Sequence, residues 1–131
     1  MELINFSNMG KQSAGILCYR KTDGIPEVLL VHPGGPFWKN KEDGAWSVPK
    51  GEFSDDEEAL AAAVREFREE TGLWVTGTFE ALTPVKLSSG KIIFAWAIEA
   101  DPDLSNFRSN TFSIEWPPRS GKQQSFPETD R

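Results

Sequence analysis

The stretch "GEFSDDEEALAAAVREFREETGL", residues 51–73, places acids at both ends of one helical pattern. Asp55, Asp56, Glu57 and Glu58 at its start agree with helix physics, because free backbone N–H groups and the positive end of the dipole stabilise negative charge there. The acids at its end do not. Glu66, Glu69 and Glu70 crowd the last turns before Gly72, where each anion is unfavourable by about 0.3–1 kcal/mol. Their spacings of three and four residues add like-charge repulsion of about 0.2–0.5 kcal/mol per pair.

The boundaries of the helix are signalled on both sides. Ser54 followed three residues later by Glu57 fits a capping box, and Gly72 fits the left-handed position just beyond a helix end. Leu60, Val64, Phe67 and Thr71 recur at helical spacing and are expected to face the core. Ala59, Ala62, Glu66, Glu69 and Glu70 fall on the neighbouring stripe, where the small residues are expected to leave open space beside the carboxylates. Two readings of the late acids stand at this point. One is a solvated face neutralised by Arg65 and Arg68, although an Arg N-terminal to its acid is the weaker orientation. The other is a site for a hard divalent cation, since Mg2+ and Mn2+ favour carboxylate oxygen and leave positions for water and phosphate. Repulsion in the empty protein then becomes affinity in the loaded one.

The rest of the chain bounds these readings. Its 131 residues suit one domain over 1–131. A net charge of −6 argues against stable nucleic acid binding, which needs a basic surface. No apolar run approaches the ~20 residues that span a bilayer, and "MELINFSNMGKQ" lacks the pattern of a secretory signal, so a cytoplasmic protein without membrane contact is expected. Cys18 is the one cysteine and His32 the one histidine; no internal disulfide or zinc site is expected, and Cys18 reads as a small buried side chain.

"SAGILCYR" (13–20) and "EVLLVH" (27–32) read as a strand pair around the turn "KTDGIP". "PGGPFWKNKEDGA" (33–45) reads as a long exposed loop and "WSVPKG" (46–51) as a short strand. Beyond the helix, 73–87, 91–100 and 111–116 read as strands, and 117–131 as turn-formers and polar residues. One dominant helix flanked by strands predicts an α+β fold with a mixed sheet.

Gly51, five residues, Glu57, seven residues, then Arg65-Glu66-Phe67-Arg68-Glu69-Glu70-Thr71-Gly72-Leu73 is similar, at every fixed position, to the signature of the Nudix hydrolases, G-x5-E-x7-R-E-U-x-E-E-x-G-U with U a bulky apolar residue. The strand order from about residue 12 to residue 116 also resembles that family. The resemblance implies an α/β/α sandwich around a mixed sheet and a pyrophosphohydrolase acting on nucleoside diphosphates linked to another moiety, with Mg2+ or Mn2+ as cofactor. It puts Glu66, Glu69 and Glu70 at metal-binding positions and Gly51 where a backbone carbonyl adds a ligand. Arg65 matches a brace that orients one of the glutamates, and Glu57 serves the cap and that brace.

The same resemblance implies a further carboxylate that takes a proton from the attacking water, drawn from a loop beyond the sheet; Glu115 in "SIEW" and Glu128 in "FPETD" are the candidates. Lys50, directly before the motif, reads either as a phosphate contact or as a turn lysine in water. Its "VPKG" context resembles dinucleoside polyphosphate and diphosphoinositol polyphosphate hydrolases, which carry Pro-Lys-Gly there, more than nucleoside triphosphate pyrophosphohydrolases, which carry Pro-Gly-Gly. A dinucleoside polyphosphate is therefore the expected small-molecule partner, with nucleoside triphosphate hydrolysis or non-catalytic nucleotide sensing as the alternatives. Lys39, Lys41, Arg119 and Lys122 are candidate phosphate contacts, solubilising charge being the other reading. Of the five tryptophans, Trp96 reads as core and Trp38 as a base-stacking candidate. The family continues after such an acidic loop into a strand and a helix, whereas this sequence stops at Arg131. A missing helix implies exposed apolar surface and self-association, as a homodimer, through that face.

Overall fold

The computed structural model describes residues 11–131. Most of the segment read for a secretory signal lies outside the described residues. The elements are β1 (Gln12–Thr22), β2 (Ile25–Val28), β3 (Lys50–Glu52), α1 (Ala59–Thr71), β4 (Glu80–Ala81), β5 (Val85–Lys86), β6 (Ile92–Glu99), β7 (Thr111–Glu115) and β8 (Gln123–Pro127). The main sheet runs β2-β1-β6-β4, with β3 also on β1 and β5 also on β6. β1 and β6 are parallel, from Gln12 opposite Ile92 to Tyr19 opposite Glu99, and every other pair is antiparallel. The fold is thus α+β with a mixed sheet.

The alternation of β1 sends Ala14, Ile16 and Cys18 into a core with Ala62, Ala63 and Phe67 of α1, Leu73 and Ile98. Burying a side chain such as Phe67 contributes roughly 1.5–3 kcal/mol. Ala62 is fully buried, which corrects its expected place on the open stripe. The helix lies close to β1 because a methyl group is all that stands between them.

The capping box is likewise corrected. α1 begins at Ala59 with Glu58 as its N-cap and no side-chain cap; Ser54 only accepts the Glu57 N–H at its backbone carbonyl, 3.1 Å away. The Glu57 carboxylate is drawn to Arg65 instead. The segment 73–87 forms only the two-residue strands β4 and β5, with Pro84, which lacks an N–H, between them. The expected turns and polar tail contain β8, paired with β7 from Thr111–Pro127 to Glu115–Gln123.

The end of α1 agrees with expectation. Gly72 is left-handed (φ 70°) and its N–H reaches the Arg68 carbonyl. The following carbonyls, which a helix leaves free, are taken up by distant residues: Glu69 O by Asn110 N–H at 2.7 Å, Glu70 O by the Thr129 hydroxyl at 2.5 Å and Thr71 O by Arg108 N–H at 2.7 Å. Among the described residues α1 is the one α-helix, and Val28, Leu82, Val85 and Leu87 stay exposed. No described helix is long and apolar enough to cross a membrane.

A Cβ at Gly72 would stand 2.6 Å from the Arg108 carbonyl oxygen, in a backbone conformation unfavourable for L side chains. Gly72→Ala should therefore cost about 1–3 kcal/mol. The urea midpoint should fall at unchanged slope; an unshifted midpoint would contradict this account of the helix end.

Candidate active site

Arg65 resolves the crowding of acids. Its Nε and Nη2 donate to the two Glu57 oxygens at 2.8 and 2.9 Å, and its Nη1 donates to Glu66 at 2.8 Å and to Glu69 at 3.1 Å. One half-exposed guanidinium thus serves three carboxylates, and it holds Glu57 below its usual range. Glu66 moves the other way: burial raises it, and the nearby Arg65 only partly offsets that.

Glu70 lies beyond the reach of Arg65. Its Oε2 accepts the Lys50 backbone N–H at 2.6 Å. Burial pushes the carboxyl up to about 8, with the charges of Glu66 and Glu128 adding to the rise and the Lys50 N–H opposing it. Glu70 and Glu66 line one cleft of about 530 Å³ together with Lys50, Gly51, Glu52, Trp38, Phe112 and Glu128. A Cβ at Gly51 would stand 2.1 Å from the Glu66 carboxyl. A side chain at this position would push the Glu66 carboxyl out of its place beside β3.

The two candidate bases separate cleanly. Glu128 follows β8 and lines the cleft, with its carboxyl raised by burial and then by Glu69. Glu115 is outside the lining. It alternates with Phe112 along β7, so when Phe112 faces the cleft Glu115 points to the opposite, exposed side. Lys39 is exposed in its loop and Arg119 sits at the β7–β8 turn with φ 62°, both outside the lining, because loop and hairpin tip turn them to solvent. Trp38 does line the cleft, with the Lys41 ammonium 5.3 Å from its ring. Sequence reasoning passed over Phe112, whose signal was the alternation in "TFSIE", and over Thr129, which bonds Glu70 from a position adjacent to Glu128.

Among the described residues no three acidic, His or Cys side chains form a ready-made cage, because Arg65 turns Glu66 and Glu69 while the Lys50 N–H turns Glu70. The donor set nevertheless fits a hard divalent cation. It offers oxygen only, and the half-buried Glu66, Glu70 and Glu128 repel one another in the one cleft. A cation reverses that repulsion.

A NUDIX domain model matches residues 9–118. Among solved structures, the Ap4A hydrolase of C. elegans in a binary complex is 27% identical with TM-score 0.51, covering 76% of each chain. The NUDIX domain of Shewanella oneidensis NrtR complexed with ADP ribose is 19% identical with TM-score 0.53, over 90% of this chain and 73% of that one. A MutT/nudix family protein from Enterococcus faecalis is 18% identical with TM-score 0.58, over 76% of this chain but only 39% of that one. These last two likenesses concern the fold alone. No curated protein sequence matches. The chain belongs to the NUDIX family, as a hydrolase acting on phosphoanhydride bonds. Members of this family generally need divalent metal ions.

Because Glu70 keeps its proton longer in the folded protein than in the unfolded chain, the native state binds more protons between the ordinary carboxylate range and about pH 8. Stability conferred by this group is therefore complete at low pH and is lost as pH rises through that window. In EDTA, the wild-type Tm should fall between about pH 5 and pH 8, and Glu70→Gln should fall less. Parallel profiles would refute the environment assigned to Glu70.

Proposed function

We propose that this chain is a Mg2+- or Mn2+-dependent pyrophosphohydrolase that cleaves a phosphoanhydride in a nucleoside diphosphate linked to another moiety, with a dinucleoside polyphosphate as substrate. The observation that carries the reading is the composition of the cleft. Glu52, Glu66, Glu70 and Glu128 line it, and among the described residues Lys50 is its one cationic lining residue. A polyanion enters such a cleft only with counter-charge. Glu66, Glu69, Glu70 and the Gly51 carbonyl are the groups to hold the ion. What it supplies when bound is a lowered pKa for water and neutralisation of phosphate oxygens.

The chain's own residues then have distinct tasks. Arg65 orients Glu66 and Glu69. Lys50 presents an ammonium to a phosphate and a backbone N–H to Glu70. Glu128 accepts the proton of the attacking water; burial brings its carboxyl closer to neutrality, which favours a general base. Trp38 offers its ring face to a base. Lys50 next to Gly51, and the likeness to the C. elegans Ap4A hydrolase, support a polyphosphate with two organic ends.

Diadenosine polyphosphates, nucleoside triphosphates, ADP-ribose and diphosphoinositol polyphosphates, assayed with Mg2+ and Mn2+ and product identification, test the substrate. Diadenosine tetraphosphate should give the highest kcat/KM; a clear preference for nucleoside triphosphates would replace that substrate. Glu70→Gln should lower kcat by about a hundredfold or more with the circular dichroism unchanged, and equal rates would remove Glu70 from the metal set. Lys50→Ala should raise KM about tenfold, as expected for one lost charge-assisted contact. Unaltered Michaelis parameters would return Lys50 to solvent.

A further inference from the structure

His32 belongs to neither the metal set nor the cleft lining, yet it is completely buried. Its two ring nitrogens reach segments remote from each other in sequence: Nδ1 lies 2.9 Å from Asp130 Oδ1 and Nε2 lies 2.5 Å from the Lys41 carbonyl oxygen. Both partners are acceptors, so both nitrogens must donate, and the ring is an imidazolium. Asp130 and Glu42 supply the facing negative charge, Arg131 stands near as a second cation paired with Glu42, and the Trp46 ring packs edge-on at 5.3 Å. The imidazole is held above its ordinary range, first by the Lys41 carbonyl and also by Asp130, against burial and Arg131.

Each contact leads into the cleft. On one side the Lys41 N–H donates to the Trp38 carbonyl at 3.0 Å, and the Trp38 N–H to that of Gly35 at 3.3 Å, so the peptide gripped by His32 is one turn from the lining tryptophan. On the other, Asp130 is two residues from Glu128. A short backbone ladder joins the same two segments: His32 N–H to Arg131 O at 2.7 Å, Asp130 N–H to His32 O at 3.0 Å and Gly34 N–H to Glu128 O at 2.9 Å. The ladder fixes the tail along residues 32–34, and beyond it the loop of residues 35–45 meets the tail through the exposed Arg131–Glu42 ion pair and through the buried His32 ring. Of these two ties the side chain of His32 is the one shielded from water.

We infer that His32 is a positioning residue, clamping the loop that carries Trp38 to the C-terminal segment that carries Glu128 and so setting the separation of the stacking and proton-accepting groups across the cleft. The inference rests on the roles proposed above for Trp38 and Glu128. It goes beyond them in assigning both to a single buried cation.

The two arms of the clamp can be cut separately. The amide nitrogen of Asn reaches the place of Nδ1 and that of Gln the place of Nε2, so His32→Asn keeps the Asp130 bond and His32→Gln keeps the Lys41 bond. With diadenosine tetraphosphate and Mg2+, His32→Asn should raise KM about tenfold with kcat within about twofold, and His32→Gln should lower kcat about tenfold with KM within about twofold. Amide hydrogen exchange without substrate should accelerate at residues 35–45 in the first variant and at 128–131 in the second. A general structural role would move kcat and KM together in both variants, and that result, or exchange that fails to separate by segment, overturns the clamp. If diadenosine tetraphosphate is not hydrolysed, the substrate reading falls alone, and the exchange pattern still decides for or against His32.

Discussion

The contact of the Arg65 guanidinium with Glu66 and Glu69, braced from the other side by Glu57, is what allows these two acids to stand at the negative end of a helix. Dipole and like-charge penalties of some tenths of a kcal/mol per carboxylate are small singly, but they act on one turn and in partial burial. Charge-assisted hydrogen bonds of about 1.5–3 kcal/mol each exceed them, even after discounting for the exposure of Arg65. Glu70 is outside this arrangement. It is held by one backbone N–H and pushed up by burial, and burial raises Glu66 and Glu128 beside it as well. Perturbed carboxylates gathered in one cleft mark sites that handle protons or cations.

The opposite side of the cleft is attached to the same helix. Its last carbonyls are met by Arg108, Asn110 and Thr129. These bonds anchor the segments leading into β7 and out of β8, and with them Phe112 and Glu128. Helix termination and site assembly are therefore one set of hydrogen bonds. Loosening the helix end disturbs both the acids of α1 and the acid that faces them.

Close approach completes the site. β3 passes near enough to α1 that a side chain at Gly51 would displace the Glu66 carboxyl, and Lys50, its neighbour, brings a lining cation. The loop of residues 33–45 has no regular structure to hold Trp38 in place. Its internal turns and the buried His32 do so instead.

Much of this was legible in the order of residues. Helix α1 and its glycine stop, the strands β1 and β6, the buried Cys18, and the grouping of Glu66, Glu69 and Glu70 follow from spacing and local propensity, which act over a few residues. The helix start was misplaced because Glu57 satisfies a guanidinium two turns away rather than its own helix N-terminus. Ala62 was misplaced because periodicity locates a face but not how near the sheet lies. Glu115 and Glu128 had equal standing as sequence, and only the pairing of β7 with β8 turned one to solvent and the other into the cleft. His32 looked like a solitary residue until folding brought Asp130, 98 positions away, to its ring. Contacts between residues that distant are set by the packing of the whole chain, and no local pattern encodes them.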